Sequence, residues 1–113
     1  MQTRLTPEAI RQLKQQYPML RDDYFEYLLQ AGWGETEVGP IIFEGPTAPE
    51  VVYGPRKNLA TILLLAHDFQ GYCFGFNYET DCYGEVSGNG SWQPWPCSAG
   101  FSRYVTEREQ KAN

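Results

Sequence analysis

Few residues in this chain have the types and spacing for chemistry. It holds one histidine and three cysteines in 113 residues. His67 and Asp68 are neighbours, and an imidazole oriented by a carboxylate is a general base. On a strand, however, adjacent side chains point to opposite faces, so neither orients the other unless a turn folds them together. His67 with Cys73, Cys82 and Cys97 supplies good zinc-ligand types, but zinc sites usually bring their ligands as closely spaced pairs, and no CxxC pair is present. Cys73 alternates with the aromatics of its strand and Cys97 precedes a helix, so both read as small buried or half-buried residues. Nucleophile and phosphate-cradling motifs are missing. Gly32-Trp33-Gly34 and Gly88-Asn89-Gly90 lack a third glycine or a following lysine and read as turns. Glu35/Glu37 and Glu79/Asp81 would suit hydrolysis only if they faced each other across a cleft, and in loops they read as solvated. No catalytic set, metal or cofactor is expected.

The elements that hold these residues are legible from periodicity. Thr6-Pro7 is a hydroxyl N-cap followed by proline at the first helical position, with Leu5 and Ile10 at the spacing of a hydrophobic staple. Ile10, Leu13 and Tyr17 give one apolar stripe, and Pro18 ends the helix. A second helix is predicted over 22–31, with Asp22 and Asp23 at its positive end, Phe25, Leu28 and Leu29 buried, and Gly32 as a left-handed cap. Trp33-Gly34 reads as a turn, and Val38 to Phe43 as a first strand closed by Gly45-Pro46. Val51-Val52-Tyr53, in a loop rich in proline and glycine, fits a short strand or one helical turn.

Ile62 to Ala66 is a continuous apolar run of the kind a buried strand has, and Tyr72, Phe74 and Phe76 follow at period two. These form a central hairpin turning at Gln70-Gly71. Tyr83 to Val86 reads as a last strand before the loop Ser87 to Ser91, and Ser98 caps a final helix burying Phe101, Tyr104 and Val105. Trp92 and Trp95 sit at neither helix nor strand spacing, so they either pack a loop onto the sheet or form a protein-binding patch. The expected fold is α+β: one domain over 1–113, core about 5–108, with a central, mostly antiparallel sheet packed by N-terminal and C-terminal helices.

Hydrophobic content of 42% supplies a core, and the net charge is −5 with a sequence pI near 4.8. An acidic chain with few clustered Lys or Arg is a poor binder of phosphate backbones and a better match for a basic protein surface. No run approaches transmembrane length. The polar start lacks the apolar core of a signal peptide, so Asn89-Gly90-Ser91 reads as a turn rather than a glycan acceptor. An odd cysteine count without paired spacing is expected to leave all three thiols free, in a reduced cytoplasm.

The order of these features resembles the SUKH superfamily. Pro18, Asp23-Tyr24, Tyr27-Leu28, Gly32-Trp33-Gly34-Glu35, Gly39, Ile42 to Gly45 and Pro49-Glu50 resemble the opening of such a domain. His67-Asp68-Phe69-Gln70-Gly71 followed by Gly75-Phe76-Asn77 is similar to its middle motif, although His67 stands where glycine is usual and Asn77 where aspartate is usual. Phe101 to Val105 resembles its closing helix. The resemblance implies a non-enzymatic binding domain, and in bacteria an immunity protein that blocks a cognate toxin, often a nuclease. The alternatives are an intracellular scaffold or regulatory module binding a host protein, and a small-ligand-binding domain using the loop at His67. Contact with the protein partner is expected from acidic and aromatic residues outside the core: Glu35, Glu37, Glu44, Glu50, Asp68, Tyr72, Asp81, Trp92 and Trp95. No nucleic acid or membrane partner is expected.

Overall fold

A computed structural model describes residues 2–36, 41–68, 71–95 and 100–101. The elements run in chain order as β1 (Gln2–Thr3), α1 (Pro7–Gln16), α2 (Asp22–Gln30), β2 (Trp33–Glu35), β3 (Ile41–Thr47), α3 (Glu50–Tyr53), a 3-10 turn (Lys57–Leu59), β4 (Ile62–His67), β5 (Cys73–Asn77), β6 (Cys82–Val86) and β7 (Trp92–Pro94). The seven strands form one sheet in sequence order, every neighbouring pair antiparallel, so the α+β class expected from the sequence is observed.

Local chemistry sets the helix ends. The Thr6 hydroxyl accepts the Ala9 amide at 3.1 Å, Pro7 follows, and Leu5 and Ile10 both pack into the core. In α2 the buried residues are Tyr24, Phe25 and Leu28; Leu29, expected inside, is 38% exposed because it falls just past the edge of that stripe. Gly32 has φ +96°, and a Cβ there would sit 2.1 Å from the Thr3 carbonyl oxygen. Glycine is therefore required twice, for the helix cap and for the approach of β1.

Several expectations are corrected. Trp33–Glu35 is a strand rather than a turn, and Trp92–Pro94 a strand rather than a loop; both are short and pair with a longer neighbour. Strand β3 continues through Gly45 and Pro46 to Thr47. Its pairing with β2 ends at Ile42 and its register with β4 shifts before Thr47, so the proline falls where little ladder is lost. Val51-Val52-Tyr53 is one helical turn. Tyr72 precedes β5 and is 37% exposed, whereas Phe74 and Phe76 are fully buried. Cys82 is disulfide-bonded and Cys73 is a free, buried thiol, against the expectation of three free thiols. Pairing is a matter of tertiary proximity, which spacing along the chain does not encode. Expectations at Glu37, Val38, Gly39, Phe69, Gln70, Cys97, Ser98, Tyr104 and Val105 fall outside the described residues.

Two cores result, one on each face of the sheet. On the first, Ile10, Leu20, Tyr24, Phe25 and Leu28 from the helical segment meet Ile42, Leu65, Phe74, Phe76 and Tyr83, with Trp95 and Phe101. Asp23 ties this layer together: it accepts Tyr83 Oη at 3.1 Å and the Phe101 amide, and it meets Arg21 Nε at 3.3 Å. The second core is smaller: Leu59, Ile62, Leu64, Cys73 and Val86, flanked by Phe43, Tyr53 and Trp92. Among the described residues, no helix is long and apolar enough to cross a membrane.

Candidate functional site

Because a strand alternates faces, the register assigns side chains to rows. Glu35 pairs with Ile41, Ile41 with His67, His67 with Cys73, Cys73 with Val86, and Val86 with Trp92. These residues form one row from β2 to β7 on the face opposite α1 and α2. Only part of the row is roofed. Tyr53 of α3 donates its hydroxyl to the Val86 carbonyl at 3.3 Å and packs with Cys73, Val86 and Trp92. Toward β2, Ile41 and His67 are half-buried and Glu35 is exposed. Phe43 stacks on His67, with ring centroids 5.5 Å apart.

Where the roof stops, a cavity of about 370 Å³ opens, lined by Val52, Tyr53, His67, Gly71, Tyr72, Cys73 and Gly88. Its near wall holds Gly71 and Tyr72, which lead into β5. The Asp68 amide donates to the Tyr72 carbonyl at 3.1 Å, and the Tyr72 amide donates to the Asp68 carboxylate at 3.2 Å. Gly71 stands at φ +91°, a conformation that glycine adopts readily. The far wall is the next hairpin, in which the Ser87 amide donates to Ser91 O at 2.9 Å.

The floor of the cavity is neutral. Burial pushes the Cys73 thiol above its ordinary value; a hydrogen bond with Tyr53 partly offsets this, and Asp68 adds to it. Burial raises the Tyr53 phenol too, with contributions from Cys73 and Asp68. A thiol raised in this way stays protonated near neutral pH and is a poor nucleophile. A larger groove of about 540 Å³, lined by Ala48, Pro49, Glu50, Pro55, Arg56, Lys57, Leu59 and Ala60, lies on the other side of the α3 segment. Among the described residues, no group of three or more His, Cys, Asp or Glu could hold a metal ion.

The residues expected to meet a partner are scattered. Tyr72 belongs to the cavity wall and Asp68 adjoins it, accepting the Tyr72 amide, while Trp92 and Glu35 share the row beside the cavity. Glu50 is exposed on α3, and Glu44 is exposed on β3. Asp81 lies in the turn joining the far end of β5 to β6, held at φ +58°. Trp95 is corrected from contact residue to core residue: it is 8% exposed, and its amide donates to Tyr83 O at 2.8 Å. Trp92 is half-buried against the sheet, closing over Gly84, where an added Cβ would sit 2.5 Å from the indole. Sequence reasoning missed Val52, Tyr53 and Cys73 as lining. The usable signal was two valines and a tyrosine between Pro49 and Gly54, an apolar cluster in a segment otherwise built for solvent. Protein-family models, curated proteins and solved structures were all compared with the chain, and none matches it, so nothing among them identifies the SUKH superfamily.

Proposed function

We propose that the chain is a non-enzymatic protein-binding domain of the immunity type, which neutralises a cognate bacterial toxin domain, such as a nuclease, by covering it. The observation that carries this reading is the unequal finish of the sheet. The face opposite α1 and α2 is only partly roofed, and beside the gap Val51, Val52 and Tyr72 are 74%, 50% and 37% exposed. Exposed apolar side chains gathered at a rim are a mark of protein contact. Exposed Glu35, Glu44 and Glu50 and a net charge of −5 suit a basic partner, whose approach complementary charge would steer. The SUKH resemblance points the same way.

The test is binding to the toxin domain encoded beside the gene, by calorimetry, with the triple variant Glu35→Lys, Glu44→Lys, Glu50→Lys. These side chains are exposed, so stability should change by less than about 0.5 kcal/mol per site while affinity collapses. Unchanged affinity would overturn the reading. The cavity favours a second reading, a small-ligand-binding domain. A thermal-shift screen over metals, nucleotides and sugars checks it, since a ligand at 100 times its Kd stabilises by about 2.7 kcal/mol.

Cytoplasmic placement belongs to the same proposal. Its premise of free thiols fails at Cys82, because disulfides persist where the surroundings are oxidising.

A further inference from the structure

We infer that the cavity beside His67 is the anchor point for the partner: it takes one basic side chain, arginine or lysine, from the protein that docks on the apolar rim. This rests on the protein-binding reading and names the chemistry the surface would select. About 370 Å³ is at the small end of ligand pockets and has room for one long side chain. Two tyrosines, Tyr53 and Tyr72, stand in its walls, and aromatic faces attract cations, more strongly as water is excluded.

Among the described residues no lysine or arginine lines the cavity, and the Asp68 carboxylate stands beside it, accepting from the amide of lining residue Tyr72. The Asp68 charge is felt inside, since it contributes to the upward shifts of both Cys73 and Tyr53. Arg56, which follows α3, has its guanidinium on the carbonyls of Tyr53 at 3.4 Å and Asn89 at 3.3 Å, and it is not among the lining residues. At the mouth, lining Val52 and Tyr72, with Val51 next along α3, offer the apolar surface that would exclude water around a seated cation.

The probe is Nα-acetyl-arginine methylamide, titrated into the isotope-labelled full chain and followed by amide resonances, with the norleucine analogue as its uncharged counterpart. The arginine probe should give saturable shifts at Gly71, Tyr72, Cys73 and Gly88, and should bind about fivefold more tightly than the norleucine probe. Asp68→Asn keeps an acceptor for the Tyr72 amide and removes the charge, so it should erase that preference. Gly88→Leu should block the mouth; an added Cβ there would lie 3.5 Å from Gly71 O, an ordinary contact, so the fold tolerates it. Equal binding of the two probes, shifts confined to other residues, or a preference that survives Asp68→Asn would each overturn the inference. None of these measurements needs a toxin, so a failure here is distinct from a failure of the neighbouring toxin domain to bind.

Discussion

The two faces of the sheet are built from the same strands by opposite means. Phe74-Gly75-Phe76 and Tyr83-Gly84-Glu85 pair residue for residue, and alternation sends the rings to one side and the glycines to the other. Against α2 the rings meet ring to ring: Tyr24 and Phe101 lie 5.1 Å apart, Phe76 and Tyr83 also 5.1 Å, and Tyr27 and Phe101 5.0 Å. Across the sheet Gly75 lies under Ile62 and Gly84 under the Trp92 indole, within the smaller core of Leu59, Ile62, Leu64, Cys73 and Val86. The thick face carries the larger core, and the thin face carries the smaller core together with the exposed rim of Val51, Val52 and Tyr72. On the proposed reading, that separation is what lets one small domain carry a surface matched to a partner.

The sharpest way to break this comparison is at two adjacent residues. Phe74 is fully buried on the thick face, and Phe74→Ala should cost about 3–5 kcal/mol, a large share of the roughly 5–15 kcal/mol a small domain has. Cys73 is the neighbour on the thin face, and Cys73→Ala should cost less than about 1.5 kcal/mol. Urea unfolding of both variants decides it. Equal losses would mean that the two faces share the stability evenly.

A smaller effect is expected at the centre of the thin face. An alanine at position 84 would place its Cβ 2.5 Å from both Gln93 O and the Trp92 ring, so β7 or the indole must move. Gly84→Ala should cost about 1–3 kcal/mol and shift the tryptophan fluorescence. If it changes neither, Trp92 does not close on the sheet and the thin face is more open than described.

Legibility followed the same division. The thick face was readable because its signals are strictly local: Thr6-Pro7 starts α1, Gly32 stops α2, and Phe74 and Phe76 alternate on one strand. Phe25, Phe74, Phe76 and Phe101 were expected in the core and all are buried. The short strands at Gln2–Thr3, Trp33–Glu35 and Trp92–Pro94 could not be read, since two or three residues show no period and their pairing comes from a neighbour. Trp95 was placed by the fold around Tyr83 rather than by spacing. The cavity was the least legible part. It joins residues from 52 to 88 through register and one ambiguous helical turn, and His67 and Cys73 meet only because β4 and β5 pair.

The smallest effect is on the thick face itself, where the rule of dense packing meets an exception. Tyr24 is fully buried, yet its hydroxyl has no hydrogen-bond partner among the described residues. A buried polar group left unsatisfied costs free energy, so Tyr24→Phe should leave stability unchanged or raise it by up to about 1 kcal/mol. The two outcomes separate further at high pH. Burial, with a smaller contribution from Tyr17, pushes the Tyr24 phenol well above its ordinary value. The neutral phenol is then favoured in the folded state: its contribution is complete below about pH 10 and is lost as pH rises toward the native value. Phenylalanine does not titrate, so the variant's melting temperature should fall less steeply between about pH 9 and 11 than that of the unaltered chain. A loss of more than about 1 kcal/mol at neutral pH would instead mean that the hydroxyl has found a partner. The aromatic layer would then be held by a polar contact as well as by its rings.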